Sequence, residues 1–200
     1  MISTIPIKLI GSYKNIILLL IVSTLVTSCY SITTSSYSDK EFKRKKYNKI
    51  CVYSYEENLV FRSILEKTMV EELYELGVDA MEGSELFPPT KERDENEFQS
   101  ELLANNVDGF LKFEVVNINT NSDAYESEIQ IDNFHNNDMN SNLRYRFEVK
   151  LIDVKTNKLA WVGSSEPINY YKINQFNRDD FFWKFSKSVI EELQQKGHIE

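Results

Sequence analysis

From residue 144 to residue 151 polar and apolar side chains alternate without a break. Arg144, Arg146, Glu148 and Lys150 stand against Tyr145, Phe147, Val149 and Leu151. A period of two predicts a β-strand with one face in a core and the other in water. Tyr125, Ser127, Ile129 and Ile131 repeat the pattern against Glu126, Glu128 and Gln130. Residues 50–55 (ICVYSY) and 109–118 (GFLKFEVVNI) are rich in β-branched and aromatic residues and read as two further strands. Residues 78–81 form a short one, and the turn KTNK at 155–158 leads into another at 159–164.

Elsewhere the period is that of a helix. Phe61, Ile64, Leu65, Thr68, Met69, Leu73 and Leu76 recur three or four apart, with Asn58 placed to cap the start and Gly77 to end the helix in a left-handed conformation. Asp94 with Glu97 resembles a capping box that opens a short helix, whose inward residues are Phe98 and Leu102. Phe182, Phe185, Val189 and Leu193 mark a C-terminal helix between Asn177 and Gly197. The loop through Phe87, Pro88 and Pro89 excludes a central strand there. The resulting order is β-α-β-α-β-β-β-β-α. A βαβ start crosses over to make parallel neighbours, and the short later connections suit an antiparallel meander. The fold class expected is α+β: a mixed sheet with helices packed on it.

The first thirty residues follow a different logic. Lys8 and Lys14 precede an eleven-residue apolar run at 16–26 (IILLLIVSTLV), and the first acidic residue is Asp39. A membrane-crossing helix needs roughly 20 apolar residues, whereas about 7–15 suit the core of a signal peptide. The run ends in Val26-Thr27-Ser28-Cys29, which resembles the lipobox of bacterial lipoproteins. That resemblance implies diacylglycerol on the Cys29 sulfur, cleavage between Ser28 and Cys29, and acylation of the new amino group. Tyr30 stands where an aspartate would hold some lipoproteins in the inner membrane, so the resemblance points to the outer membrane, facing the periplasm.

The division that follows is a signal peptide at 1–28, a lipidated tether with a basic segment at 29–48, and one α+β domain at 49–200. The tether opens with YSITTSSYSD at 30–39. Its basic part carries Lys40, Lys43, Arg44, Lys45, Lys46 and Lys49 against a lone Glu41. Such a cluster suits anionic headgroups; the bland alternative is a solvated linker or the flank of the first strand.

Charge narrows the function. The whole chain has a formal net charge of −8, and loss of residues 1–28 removes two lysines and no acid. An acidic chain is a poor nucleic-acid binder. Two cysteines are present; with Cys29 acylated, Cys51 is left without a disulfide partner, in an apolar strand that suits an inert buried thiol.

Catalytic and metal chemistry finds little support. The two histidines are separated, His135 in a polar loop and His198 at a C-terminus expected to fray. Neither provides the three or four ligands of a zinc site. The Asx-rich run of Asp132, Asn133, Asn136, Asn137, Asp138 and Asn140 lacks the central glycine and final glutamate of an EF-hand. No nucleophile elbow, phosphate loop or dinucleotide fingerprint occurs. No metal and no cofactor is therefore expected. The candidate partner-binding residues are Tyr170, Tyr171 and Phe176 on the connection INYYKINQF (168–176), since tyrosines are enriched at interface hot spots. The loop 87–93 comes second.

The domain also resembles a group of small envelope modules found in curli-secretion lipoproteins, lipoprotein activators of peptidoglycan synthases, and the N-terminal domain of the Tol system's propeller protein. KICVYSY before a helix ending in LGVDA, then NNVDGFLKFEV, then VKLIDVKTNKLAWVGSS carry that likeness, with Asp108-Gly109, Asp153 and Trp161 at its marked positions. The expected function is a non-enzymatic, lipid-anchored envelope protein that binds a protein partner. The competing class is a small-ligand or lipid-binding lipoprotein, which would need a deep apolar cavity between sheet and helices. An enzyme is the third reading.

Overall fold

The computed structural model describes residues 32–91, 93–119, 143–166, 168–169 and 178–200. The expected strand at 125–131, the Asx-rich loop and Asn177 lie outside these residues, as do His135 and residues 1–31. In chain order the described elements are β1 (Thr34–Ser38), a 3-10 turn (Lys40–Phe42), β2 (Lys49–Ser54), α1 (Leu59–Glu75), β3 (Asp79–Glu82), α2 (Gly83–Leu86), α3 (Glu95–Ala104), β4 (Gly109–Asn119), β5 (Leu143–Asp153), β6 (Lys158–Ser165), β7 (Ile168–Asn169) and α4 (Arg178–Lys196). Among the described residues no helix is long and apolar enough to cross a membrane.

The expected α+β class is found: a mixed sheet in the order β1-β6-β5-β4-β2-β3, with β7 added on β5. β2 is parallel to both its neighbours, β3 and β4, and the β4, β5, β6, β1 ladders are antiparallel. Flanked on both sides and covered on both faces, β2 buries every residue from Ile50 to Ser54, which is why its sequence is a continuous run.

The local signals do what their chemistry requires. Asn58 caps α1, its side chain accepting from the backbone N–H groups of Val60 and Phe61, both at 3.1 Å. Asp94 caps α3 by accepting from Glu97 N at 2.9 Å. Gly77 and Gly197 take φ of 77° and 78° just past α1 and α4.

Helices α1 and α4 cover one face of the sheet. Phe113 and Phe147 point to that face and meet the ring of Phe185 at 5.9 and 4.9 Å, while Phe61 meets Phe182 edge-on at 4.6 Å. Trp161 lies on the same face and is 1% exposed. A second cluster on the opposite face joins Cys51, Tyr53 and Phe110 to Phe87, Leu102, Val107 and Val154, with Phe98 packed against it. Cys51 is fully buried there. Burial first, then the charge of Glu66, pushes its thiol far above the ordinary range, so it is the inert core residue expected.

Three expectations are corrected. The segment read as a flexible tether is, from Ile32 onward, part of the folded body. β1 pairs antiparallel with β6, Thr34 opposite Ser165 through Ser38 opposite Trp161. Phe42 and Tyr47 are buried. Hydrophobic alternation is silent in TSSYS because its inward residues are hydroxyls. Thr34 accepts from Ser188 at 2.9 Å, Ser36 donates to Glu192, and Ser38 meets His198 at 2.9 Å.

The basic segment, second, is partly spent on the domain itself: Lys45 pairs with Asp153, Lys46 with Glu200 at 3.0 Å and Lys49 with Asp79 at 3.6 Å. Burial alone would raise the Asp153 carboxyl, but hydrogen bonds from Lys45 and Thr156 outweigh it and hold it below the ordinary range.

His198, third, is not at a frayed end. It is fully buried, with Nδ1 3.1 Å from the Lys45 carbonyl. The backbone explains this: Tyr47 N donates to the His198 carbonyl at 2.8 Å, tying the last residues to the segment before β2.

Candidate functional site

Strand register sets out the outward face of the sheet. Tyr37, Val162, Lys150, Lys112 and Tyr53 stand in one cross-strand row, because each pairs directly with the next. The neighbouring row runs through Ser35, Ser164, Glu148 and Glu114. α3 and the loop before it cover the β2 end of this face. Among the described residues its β5, β6 and β1 end carries no helix, and Tyr37 and Leu159 stand 62% and 47% exposed there.

A half-open groove of about 280 Å³ lies at the junction of the covered and uncovered parts. Its apolar lining comes from Phe98 and Leu102 of α3, Phe110 of β4, Ile152 of β5, Val154 and Leu159. Lys112, Lys150, Tyr55, Gln99 and Asn157 supply the polar lining. Two local features shape it. A register shift between Leu151 and Ile152 interrupts the β5–β6 ladder at its floor. Asn157 takes φ 52° in the turn between those strands, a conformation asparagine tolerates better than most residues. Gln99 anchors α3 to the rim by donating to the Val154 carbonyl at 2.9 Å.

The two lysines are placed opposite one another by the β4–β5 register. Lys150 is taken up by Glu114 at 2.7 Å. Lys112 makes no ion pair among the described residues. Its ammonium lies 4.6 Å from the centre of the Tyr55 ring and 5.9 Å from that of Phe110. Sequence reasoning passed over both residues. Lys150 is the polar half of an alternating strand and Lys112 lies in a strand marked by its β-branched and aromatic residues; their opposition exists once the register is known.

Of the site residues expected from sequence, Ser28, Cys29, Tyr170, Tyr171 and Phe176 lie outside the described residues. The connection that carries the two tyrosines begins with β7, whose Ile168 is buried. The second choice, the loop 87–93, does not offer its aromatic residue, since Phe87 is 1% exposed. Arg93 staples that loop, donating to the carbonyls of Leu86, Pro88 and Lys91 at 3.5, 3.3 and 3.2 Å and pairing with Glu101 at 3.4 Å.

Two buried ionisable groups, Glu66 and Arg62, are engaged in structure. Glu66 accepts from Ser54 N at 2.9 Å, Ser84 N at 2.8 Å and Arg62 Nε at 2.9 Å, locking α1 to the end of β2 and the start of α2. Arg62 also donates to the Phe87 carbonyl at 3.2 Å and lies 4.3 Å from the centre of the Tyr53 ring. Among the described residues no three His, Cys, Asp or Glu side chains gather as a metal site would require.

No protein-family model and no curated protein sequence matches the chain. Among solved structures it is similar to PelC from Paraburkholderia phytofirmans, determined as a dodecamer, at 13% identity and a TM-score of 0.45, over 84% of this chain and 99% of that one. It is also similar to a PDZ domain protein from Parabacteroides distasonis, at 11% identity and a TM-score of 0.45, over 82% of this chain and 36% of that one. Likeness this distant carries no functional inference.

Proposed function

We propose that the chain is a lipid-anchored, non-enzymatic protein of the bacterial cell envelope, held at the outer membrane through Cys29 and facing the periplasm. There it binds a protein partner through the outward face of its sheet. The anchor rests on the order of basic n-region, apolar run, small residues and cysteine at 8–29. Two or more acyl chains hold a protein firmly where one holds it marginally.

The observation that carries the binding function is the part of the sheet face beside the groove that no helix covers among the described residues, with Tyr37, Leu159 and Tyr55 exposed on or next to it. The competing small-ligand reading is less well supported. Pockets that hold a small molecule cover most of its surface, whereas this groove is half-open. Against an enzyme stands the engagement of His198, Glu66 and Asp153 in bonds that hold the fold together.

The test has two arms. Cys29→Ala should abolish acyl labelling and normal processing, and mass spectrometry of the mature N-terminus should find lipid on Cys29 in the parent; an unmodified cysteine there refutes the anchor. A photo-crosslinking amino acid at Tyr37 or Leu159, in intact cells, should give a discrete adduct that the same group at Glu71, on the surface of α1, does not. Equal labelling from all three positions would refute the assigned face.

A further inference from the structure

We infer that the groove between α3 and the sheet is an anchor site for an acidic–apolar peptide segment, in which one bulky apolar side chain is seated in the groove and an adjacent carboxylate is held by Lys112. The inference rests on the protein-binding reading and names the chemistry of the partner.

Size argues for a side chain rather than a whole ligand. About 280 Å³, open along one side, suits a single large residue of a chain that continues across the surface. The lining explains the apolar part: Phe98, Leu102, Phe110 and Ile152 present carbon to the groove, and the packing of Phe98 on Phe87 at 4.4 Å and on Tyr53 at 5.6 Å fixes its ring in place. A preformed apolar anchor costs little ordering on binding.

The lysines explain the acidic part. Like charges directly opposite on neighbouring strands destabilise a sheet, yet register places Lys112 opposite Lys150. Glu114 neutralises Lys150, and Glu148, in the same row as Glu114, makes no ion pair with Lys112. Lys112 is thus a cation set beside an apolar groove, in a chain whose formal net charge is −8. An acidic partner is repelled by most of this protein and attracted at that point, so the charge fixes where the segment binds and in which direction.

The test uses the full chain in detergent micelles, labelled with nitrogen-15, and three capped peptides: acetyl-Gly-Phe-Glu-Gly-amide, its Glu-to-Gln counterpart and its Phe-to-Ser counterpart. Octanoate serves as a small anionic amphiphile. The first peptide should move the amide signals of Phe98, Leu102, Ile152 and Leu159. It should bind about tenfold or more tightly than either counterpart, the scale of one charge-assisted hydrogen bond. Lys112→Met should erase the Glu-over-Gln preference with the thermal melt unchanged, and Lys112→Arg should restore it. The inference is overturned if no groove signal moves at millimolar peptide, if Glu and Gln peptides bind equally, or if octanoate binds as tightly as the peptide. If it fails while the Tyr37 and Leu159 adducts persist, partner binding stands and only the acidic anchor falls; if the adducts are absent as well, both fall.

Discussion

The indole of Trp161 lies across the backbone of Gly163, two residues further along β6 on the same face. A Cβ at position 163 would come within 2.8 Å of Cζ2 of that indole and 3.1 Å of Cγ2 of Thr34. The missing side chain is what leaves room for a ring this large over β6, beside Thr34 of the neighbouring strand β1. Gly163→Ala should therefore destabilise the domain by about 1–3 kcal/mol, the usual result of overpacking. Urea denaturation monitored by tryptophan fluorescence measures it, and an unchanged midpoint would show that the ring has room to move aside.

Trp161 itself is almost wholly buried. Trp161→Ala should cost about 3–5 kcal/mol. Double replacement with Gly163→Ala should cost less than the sum of the two, because the smaller ring removes the clash. Strict additivity in that cycle would separate the two residues.

Arg62 and Glu66 make a different kind of coupling. Arg62→Met leaves the Glu66 carboxylate buried with two backbone donors and no countercharge, and should cost about 3–5 kcal/mol. Replacing both by Met should cost less than the two single changes together, although Ser54 N and Ser84 N then lose their acceptor. A double-mutant cycle on unfolding free energies checks this. A cycle that closes with no coupling would mean the pair contributes through packing alone.

Acid should loosen β1 through His198. The Lys45 carbonyl only accepts, so Nδ1 carries the proton and Nε2 accepts from the Ser38 hydroxyl. Burial lowers the imidazole's basicity, only partly opposed by the bond to Lys45. The folded state thus binds a proton less readily than the unfolded chain. The stability held by His198 is fully present above about pH 6.5, the ordinary histidine value, and is lost progressively below it. Asp153, whose folded value is depressed, contributes its own loss in a separate window below 3.8. Hydrogen exchange of the Ser36 to Ser38 amides should accelerate between neutral pH and about pH 5.5 beyond the intrinsic pH effect, and His198→Asn should remove that pH dependence. Exchange that follows only the intrinsic rate would refute it.

Local chemistry in the chain was enough for the elements whose stabilisation is itself local. The alternation at 144–151 comes from a strand with one wet face. The caps at Asn58 and Asp94 come from orphan backbone donors, and Gly77 and Gly197 from positive φ. Those signals fixed the α+β class and the boundaries of α1 to within a residue or two, because each depends on neighbours a few positions away.

What only tertiary structure decided depends on distant partners. β1 gives no hydrophobic signal because its inward side is three hydroxyls, held by Ser188, Glu192 and His198 from the far end of the chain. The basic run at 40–49 carries no local mark of its partners, because Asp79, Asp153 and Glu200 come from distant parts of the chain. Lys112 and Lys150 are ordinary solvent-facing lysines in their own strands, and become a feature only when the β4–β5 register sets them face to face above an apolar groove. A strand's face is encoded in its own residues, but its neighbour and its register are settled by the free energy of the whole sheet.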